Sequence, residues 1–221
     1  QATVRVERTM PITTTPTYLR RYTHLPALLH MLAAKQITLL DPKTWDDRND
    51  SFFMSLYKER KKLKTVLALC FSQTPETYHH WRVFSNGPAG VCIEFDREAL
   101  LKAMKKVPGV TTGSIEYLTL RNANARGLKI AELPFVKRFG FKPENEFRVV
   151  YVSSNEELLS REVPIEVECI RRVSLSPWMH SSLSTSTVAE IRAVKGCANL
   201  KVSRSTLISN EQWKSLGKSA T

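Results

Sequence analysis

Glycine-rich phosphate signatures are missing from this sequence. Neither G-x-x-x-x-G-K-[ST] nor G-x-G-x-x-G can be drawn through its 8 glycines. That argues against P-loop and dinucleotide-fold enzymes, both of which use glycine to bring backbone amides against phosphate. H-E-x-x-H and G-x-S-x-G are absent too, so the standard zinc protease and the α/β-hydrolase elbow are disfavoured. Long apolar runs are lacking: stretches such as Val66–Phe71 and Gly90–Ile93 fall far short of the roughly 18 to 20 residues that cross a bilayer, so no membrane partner is expected. Cysteine is sparse and scattered. Cys70, Cys92, Cys169 and Cys197 form no C-x-x-C pair, which predicts reduced core thiols in a cytoplasmic setting rather than a zinc site or a disulfide framework. The chain opens at Gln1 without an initiator Met or a signal-peptide apolar region, and reads as a piece of a longer protein.

What is present is an ordinary globular composition, 42% hydrophobic and 24% charged over 221 residues, enough to bury a core in one sizeable domain. The balance of charge is not ordinary. Lys and Arg number 33 against 21 Asp and Glu, a formal charge of +12. An excess of that size predicts an acidic partner, nucleic acid foremost, although scattered basic residues also serve solubility.

Pattern along the chain predicts an irregular arm over 1–17 and a single α+β domain over 18–221. Strands are expected at Tyr18–Thr23, Ile37–Leu40, Val66–Phe71, Val91–Phe95, within Val110–Leu120, at Glu146–Val152, as a pair at Val163–Val167 and Ile170–Leu175, and at Leu200–Ser203. Helices are expected from Pro26 to Lys35, Phe52 to Lys64, Thr77 to Phe84, Asp96 to Lys106, within Asn122–Arg138, and near Thr187–Val194, the last preceded by a Ser/Thr-rich linker near 180–187. Interspersed helices and strands without a repeat imply a mixed, mainly antiparallel β core flanked by helices.

Several polar groups invite chemistry, each with a plainer reading beside it. Asp46, Asp47, Asn49 and Asp50 could gather a metal through oxygen ligands, as in a nuclease that also used Glu144 and Glu146, or could simply form a turn and helix cap. His79 and His80 are adjacent and diverge on a helix, which predicts surface or half-buried positions rather than a ligand pair. Trp81 and Trp178 read as packing residues or as stacking platforms.

Three blocks in order carry a family resemblance: Arg21-Tyr22 with Asp41-Pro42-x-x-Trp45-Asp46-Asp47-x-Asn49-Asp50; Cys70-Phe71-Ser72 with Trp81 and Gly90-Val91-Cys92-Ile93; and Glu144-Asn145-Glu146-Phe147-Arg148. Over roughly Tyr18 to Tyr151 they resemble the bacterial domain-of-unknown-function family 2971, departing from its Asn-Asp-Pro loop at Asp47-Arg48-Asn49-Asp50. Arg21, Ser72 and a late Glu also stand in the order of the Arg-Ser-Glu type of ADP-ribosyltransferases. Arg21-Tyr22-Thr23 before a helix is similar to the opening of DNA-modifying toxins of that class.

This second resemblance implies an ADP-ribosyltransferase-like split β core that grips NAD without a glycine fingerprint, and no metal. It implies Glu146 as the carboxylate facing the ribose, Glu144 as general base or partner, Arg21 on NAD phosphate, and Ser72 positioning the nicotinamide ribose. Tyr22, Thr23, Tyr78 and Trp81 would complete the NAD site; Asp47, Asn49, Asp50 and Arg148 would meet the acceptor. It further implies a toxin or anti-phage effector that modifies RNA, DNA or a nucleic-acid-associated protein, with a cognate antitoxin. A silent basic module that binds nucleic acid or another partner is the reading that needs no catalysis.

Overall fold

The computed structural model describes residues 17–85, 87–218 and 220; the expected arm lies outside them except for Thr17. In chain order the strands are β1 (Tyr18–His24), β2 (Gln36–Leu40), β3 (Thr65–Ser72), β4 (Gly90–Asp96), β5 (Val110–Ser114), β6 (Glu116–Leu118), β7 (Val136–Arg138), β8 (Glu146–Ser153), β9 (Ser160–Pro164), β10 (Ile170–Leu175) and β11 (Val202–Arg204). The helices are α1 (Leu25–Ala34), α2 (Arg48–Arg60), α3 (Tyr78–Phe84), α4 (Arg97–Lys105), α5 (Leu120–Arg126), α6 (Ser181–Ala193) and α7 (Glu211–Lys218). Nine strands join one sheet, whose main path runs β11-β10-β4-β1-β3-β2-β9, with β8 on the other edge of β3 and β5 beyond it. Its ladders are antiparallel except β10 with β11; β6 and β7 form a separate parallel pair. The fold is α+β with a mainly antiparallel sheet, as composition and pattern predict.

Local chemistry sets most boundaries. Asp47, Thr77 and Asp96 each accept backbone N–H groups at the start of α2, α3 and α4, satisfying donors that a helix start leaves unpaired. The Asp47 cap starts α2 at Arg48, four residues earlier than its apolar pattern suggests. Alternation sorts the strands. On β3, Leu67, Leu69 and Phe71 enter the main core with Phe147, Val149 and Tyr151 of β8. The opposite face carries Val66, Ala68 and Val150 under Met54 of α2, and continues as Cys70, Ser72, Arg148 and Glu146. One end of that second face is therefore apolar and the other polar.

Three expectations are corrected. The Ser/Thr-rich segment near 180–187 is not a linker but the first half of α6; its hydroxyls bond back to carbonyls one turn earlier, as Thr185 does to Ser181, so polarity does not stop the helix. The presumed strand pair does not pair: β9 lies on β2, and β10 on β4 and β11. The single strand expected within Val110–Leu120 divides at Ile115, whose N–H donates to Glu146 O.

Candidate functional site

The sheet splits at β3. One edge pairs continuously with β8 from Thr65↔Ser153 to Ser72↔Glu146. The other edge meets β1 only at Arg20↔Ser72 and β2 only at Leu40↔Ala68. Cys70, between those two points, has no strand partner on that side, and Arg21 Nη1 donates to its carbonyl at 3.3 Å. A cleft of about 420 Å³ opens over this gap, lined by residues of β1, β3 and β8, the start of α2, α3 and the segment 137–144.

One wall is a buried ionic cluster centred on Arg148, which is fully buried. Nη1 and Nη2 donate to the two carboxylate oxygens of Asp50 at 2.9 and 2.7 Å. Nε and Nη2 donate to the two oxygens of Glu146 at 2.7 and 3.0 Å, and Nη1 also reaches Pro134 O at 2.9 Å. These bonds account for all five guanidinium N–H groups, and Trp45 lies against the guanidinium with its ring centroid 4.7 Å away. Lys137 completes the cluster, with Nζ 2.7 Å from Glu144, 3.5 Å from Glu146 and 3.6 Å from Asp50.

Three carboxylates thus face two cations; fully ionised, the group carries one net negative charge. Burial pushes the Glu146 carboxyl up, but Arg148 and Lys137 overcome it and hold the pKa below the usual carboxylate value. Glu144 goes the other way: burial raises it, Lys137 offsets only part, and Glu146 and Asp50 add to the rise. Two glutamates on one short turn are therefore shifted in opposite directions from the ordinary carboxylate value. The turn depends on Asn145, which sits in the left-handed region at φ 43°, a conformation asparagine tolerates better than most residues. Its carbonyl accepts from Gln73 N at 2.9 Å, and Tyr117 Oη accepts from Glu146 N at 2.8 Å.

A second network fixes the same turn from β3. Ser72 Oγ donates to Glu144 O at 3.0 Å and lies 2.9 Å from His80 Nε2. Thr77 Oγ1 accepts the backbone N–H of His80 and lies 2.5 Å from His80 Nδ1, so the ring is held by Thr77 at one nitrogen and by Ser72 and Glu144 O at the other. Burial lowers the His80 pKa, favouring the neutral ring. Arg21, which lines the same cleft, has no ion-pair partner among the described residues, and burial pulls its pKa below the ordinary arginine value. Asp47 also lines the cleft; its Oδ1 caps α2, while Oδ2 is buried without a hydrogen-bond partner among the described residues.

Of the residues singled out in the sequence, Arg21, Tyr22, Asp47, Asp50, Ser72, Glu144, Glu146 and Arg148 line the cleft together. Thr23, Asn49, Tyr78 and Trp81 do not. Thr23 pairs with Val91 along β1, and Asn49 is exposed, bonded to Asp47. Trp81 is fully buried, edge-on to Tyr22 and donating to Glu76 at 2.6 Å, so it is a packing residue. Tyr78 is half exposed and meets Trp178 and Arg82 outside the cleft. Asp50 is taken up by Arg148 rather than by a metal-ligand set, and no three His, Cys, Asp or Glu side chains gather in a way that could hold a metal among the described residues. His80, expected at a surface or half-buried position, is buried at 1%. Lys137 carries no sequence signal, because nothing local ties it to Glu144 or Asp50. No described helix is long and apolar enough to cross a membrane.

No family model matches the chain, and no curated protein does; the resemblance to the domain-of-unknown-function family 2971 finds no support there. Among solved structures, DarT of Thermus sp. 2.9 in complex with ADP-ribosylated ssDNA aligns at 11% identity and a TM-score of 0.45, covering 87% of this chain and 95% of that one. Its complex with carba-NAD+ aligns at 12% identity and a TM-score of 0.44, covering 86% and 95%. The NAD+ complex gives 10%, 0.44, 87% and 96%. A likeness at this level assigns no role to any residue here.

Proposed function

We propose that this chain is an NAD-dependent ADP-ribosyltransferase-like enzyme acting on nucleic acid or a nucleic-acid-associated protein. The observation that carries the reading is the make-up of one cleft: a desolvated guanidinium without an ion-pair partner and a cluster with one excess carboxylate line the same space. NAD has the complementary make-up. Its pyrophosphate is anionic and suits the planar donor fork of Arg21. Its nicotinamide–ribose bond builds positive charge on the ribose as it breaks, which a carboxylate favours in the transition state.

In this reading the bond from ribose C1′ to the nicotinamide nitrogen breaks, its electron pair leaving with neutral nicotinamide. Glu146, kept ionised by Arg148 and Lys137, faces the charge on the ribose. The acceptor's nucleophilic atom bonds to C1′, and its proton passes to Glu144, whose raised pKa suits a general base better than an ordinary carboxylate. Asp47, whose Oδ1 caps α2, and Tyr22, stacked on His80, line the same cleft. Ser72 and His80 act as positioning residues through the Glu144 carbonyl. The toxin or antiviral role, and a neutralising partner, are proposed on the family resemblance alone. A metal-dependent nuclease is less well served, since no three His, Cys, Asp or Glu side chains among the described residues gather in a way that could hold a metal.

The test follows label from NAD tagged on the adenylate into RNA, DNA and protein while free nicotinamide is measured, for wild type and Glu146→Gln. Transfer to one polymer that is lost in the variant is expected. Absence of both transfer and nicotinamide release from folded wild-type protein would overturn the reading.

A further inference from the structure

One row of residues crosses five strands on one face of the sheet. Register pairs Arg172 of β10 with Glu94 of β4, Glu94 with Arg20 of β1, Arg20 with Ser72 of β3, and Ser72 with Glu146 of β8. Cross-strand partners present their side chains on the same face, so this row links the cleft carboxylate to an arginine cluster. The irregularity between Ile170 and Arg172 lets Arg171 reach the same glutamate. Glu94 is buried at 2% and receives Arg20 at 2.5 Å, Arg171 at 3.1 Å and Arg172 at 3.3 Å.

Three guanidinium groups around one carboxylate leave two positive charges in excess. Arg20 is mostly covered and lines the cleft, whereas the Arg171 and Arg172 side chains are 48% and 47% exposed. Arg171 is ordered further by the Tyr18 ring, its guanidinium carbon 4.0 Å from the centroid. Apart from the Glu94 contacts, the Arg171 and Arg172 side chains have no hydrogen-bond partner among the described residues. Glu94 works as an organiser that holds the arginines in place without neutralising them.

We infer that Arg171 and Arg172 form a phosphodiester-binding site that seats the backbone of a single-stranded nucleic-acid acceptor while its reacting nucleotide lies at Glu146. The inference rests on the ADP-ribosyltransferase reading for what happens at Glu146; the binding site itself rests on the arginines. Four strand spacings separate Glu146 from Arg172, about 19 Å.

The experiment measures binding of a fluorescent single-stranded 12-mer by anisotropy across a salt series. Wild type, an Arg171→Gln/Arg172→Gln double variant and an Arg171→Lys/Arg172→Lys double variant are compared, with nicotinamide release from NAD alone read in parallel. The glutamine variant should weaken the 12-mer about tenfold at low salt and reduce the log–log salt slope by about 1.4, which is two contacts at about 0.7 each. Nicotinamide release should stay at wild-type level, and the lysine variant should keep most of the slope, separating lost charge from lost folding. An unchanged 12-mer affinity and slope in the glutamine variant would overturn the inference. So would competition by polyglutamate as strong as by unlabelled 12-mer, which would make the patch a protein-docking site. If wild type releases no nicotinamide yet the arginine dependence of binding holds, the donor chemistry fails and the binding site stands.

Discussion

Arg148 and Asp50 stand 98 positions apart in the chain and meet through two parallel hydrogen bonds of 2.9 and 2.7 Å. The pair ties β8 to the first turn of α2, and through its remaining donors Arg148 holds Glu146 as well. Removing one partner of a buried pair strands the other charge without water. Arg148→Met should therefore cost about 3–5 kcal/mol of stability, read as a lower denaturant midpoint. Asp50→Asn, which keeps part of the hydrogen bonding, should cost less. Equal losses would mean that the geometry of the pair matters less than its charge.

Arg21 gives the clearest division between binding and chemistry. Charge-assisted hydrogen bonds contribute about 1.5–3 kcal/mol, so Arg21→Gln should raise KM for NAD by about 10- to 100-fold while changing kcat little. Steady-state nicotinamide release across NAD concentrations reads this directly. A fall in kcat at unchanged KM would place Arg21 elsewhere than on the donor phosphates.

The acid limb of the activity profile should belong to Glu144. A general base works only when deprotonated, so the rate should fall as pH drops through its raised pKa, and Glu144→Gln should cost about 10²- to 10⁴-fold. Lys137 lowers that pKa; Lys137→Met, which keeps the aliphatic stem, should move the limb to higher pH. A limb that stays in place in the Lys137 variant would remove Glu144 from the role.

Alkaline stability offers a test away from the cleft. Burial pushes the Cys92 thiol from an ordinary value of 9.0 up to about 12, with Tyr22 offsetting part of the rise. Between those values the unfolded thiol has lost its proton and the folded one has kept it. The unfolded state binds fewer protons, so stability falls as pH rises through the window. Cys92→Ala should flatten the fall by about 1.4 kcal/mol per pH unit, measured by denaturation between pH 9 and 11.

Much of this molecule is decided within a few residues of chain. Asp47, Thr77 and Asp96 cap the helices they precede, and the continuous apolar runs of β3 and β8 become central strands because both faces are covered. Arg21, Ser72 and Glu146 are visible as an ordered set, and Asp50 and Arg148 as polar residues in strong local patterns. What joins them is not local. The register Ser72↔Glu146 and the split that leaves Cys70 for Arg21 arise from pairing among strands tens of residues apart. Lys137 is an unremarkable lysine until a short strand carries it to Glu144, and His80 looks like a surface or half-buried histidine until Tyr22 and Ser72 cover it. Caps and periodicity depend on neighbours within about four positions, so the amino-acid order determines them by itself. Ion pairs, proton affinities and the cleft depend on which distant side chains share one desolvated space, and only the tertiary structure decides that.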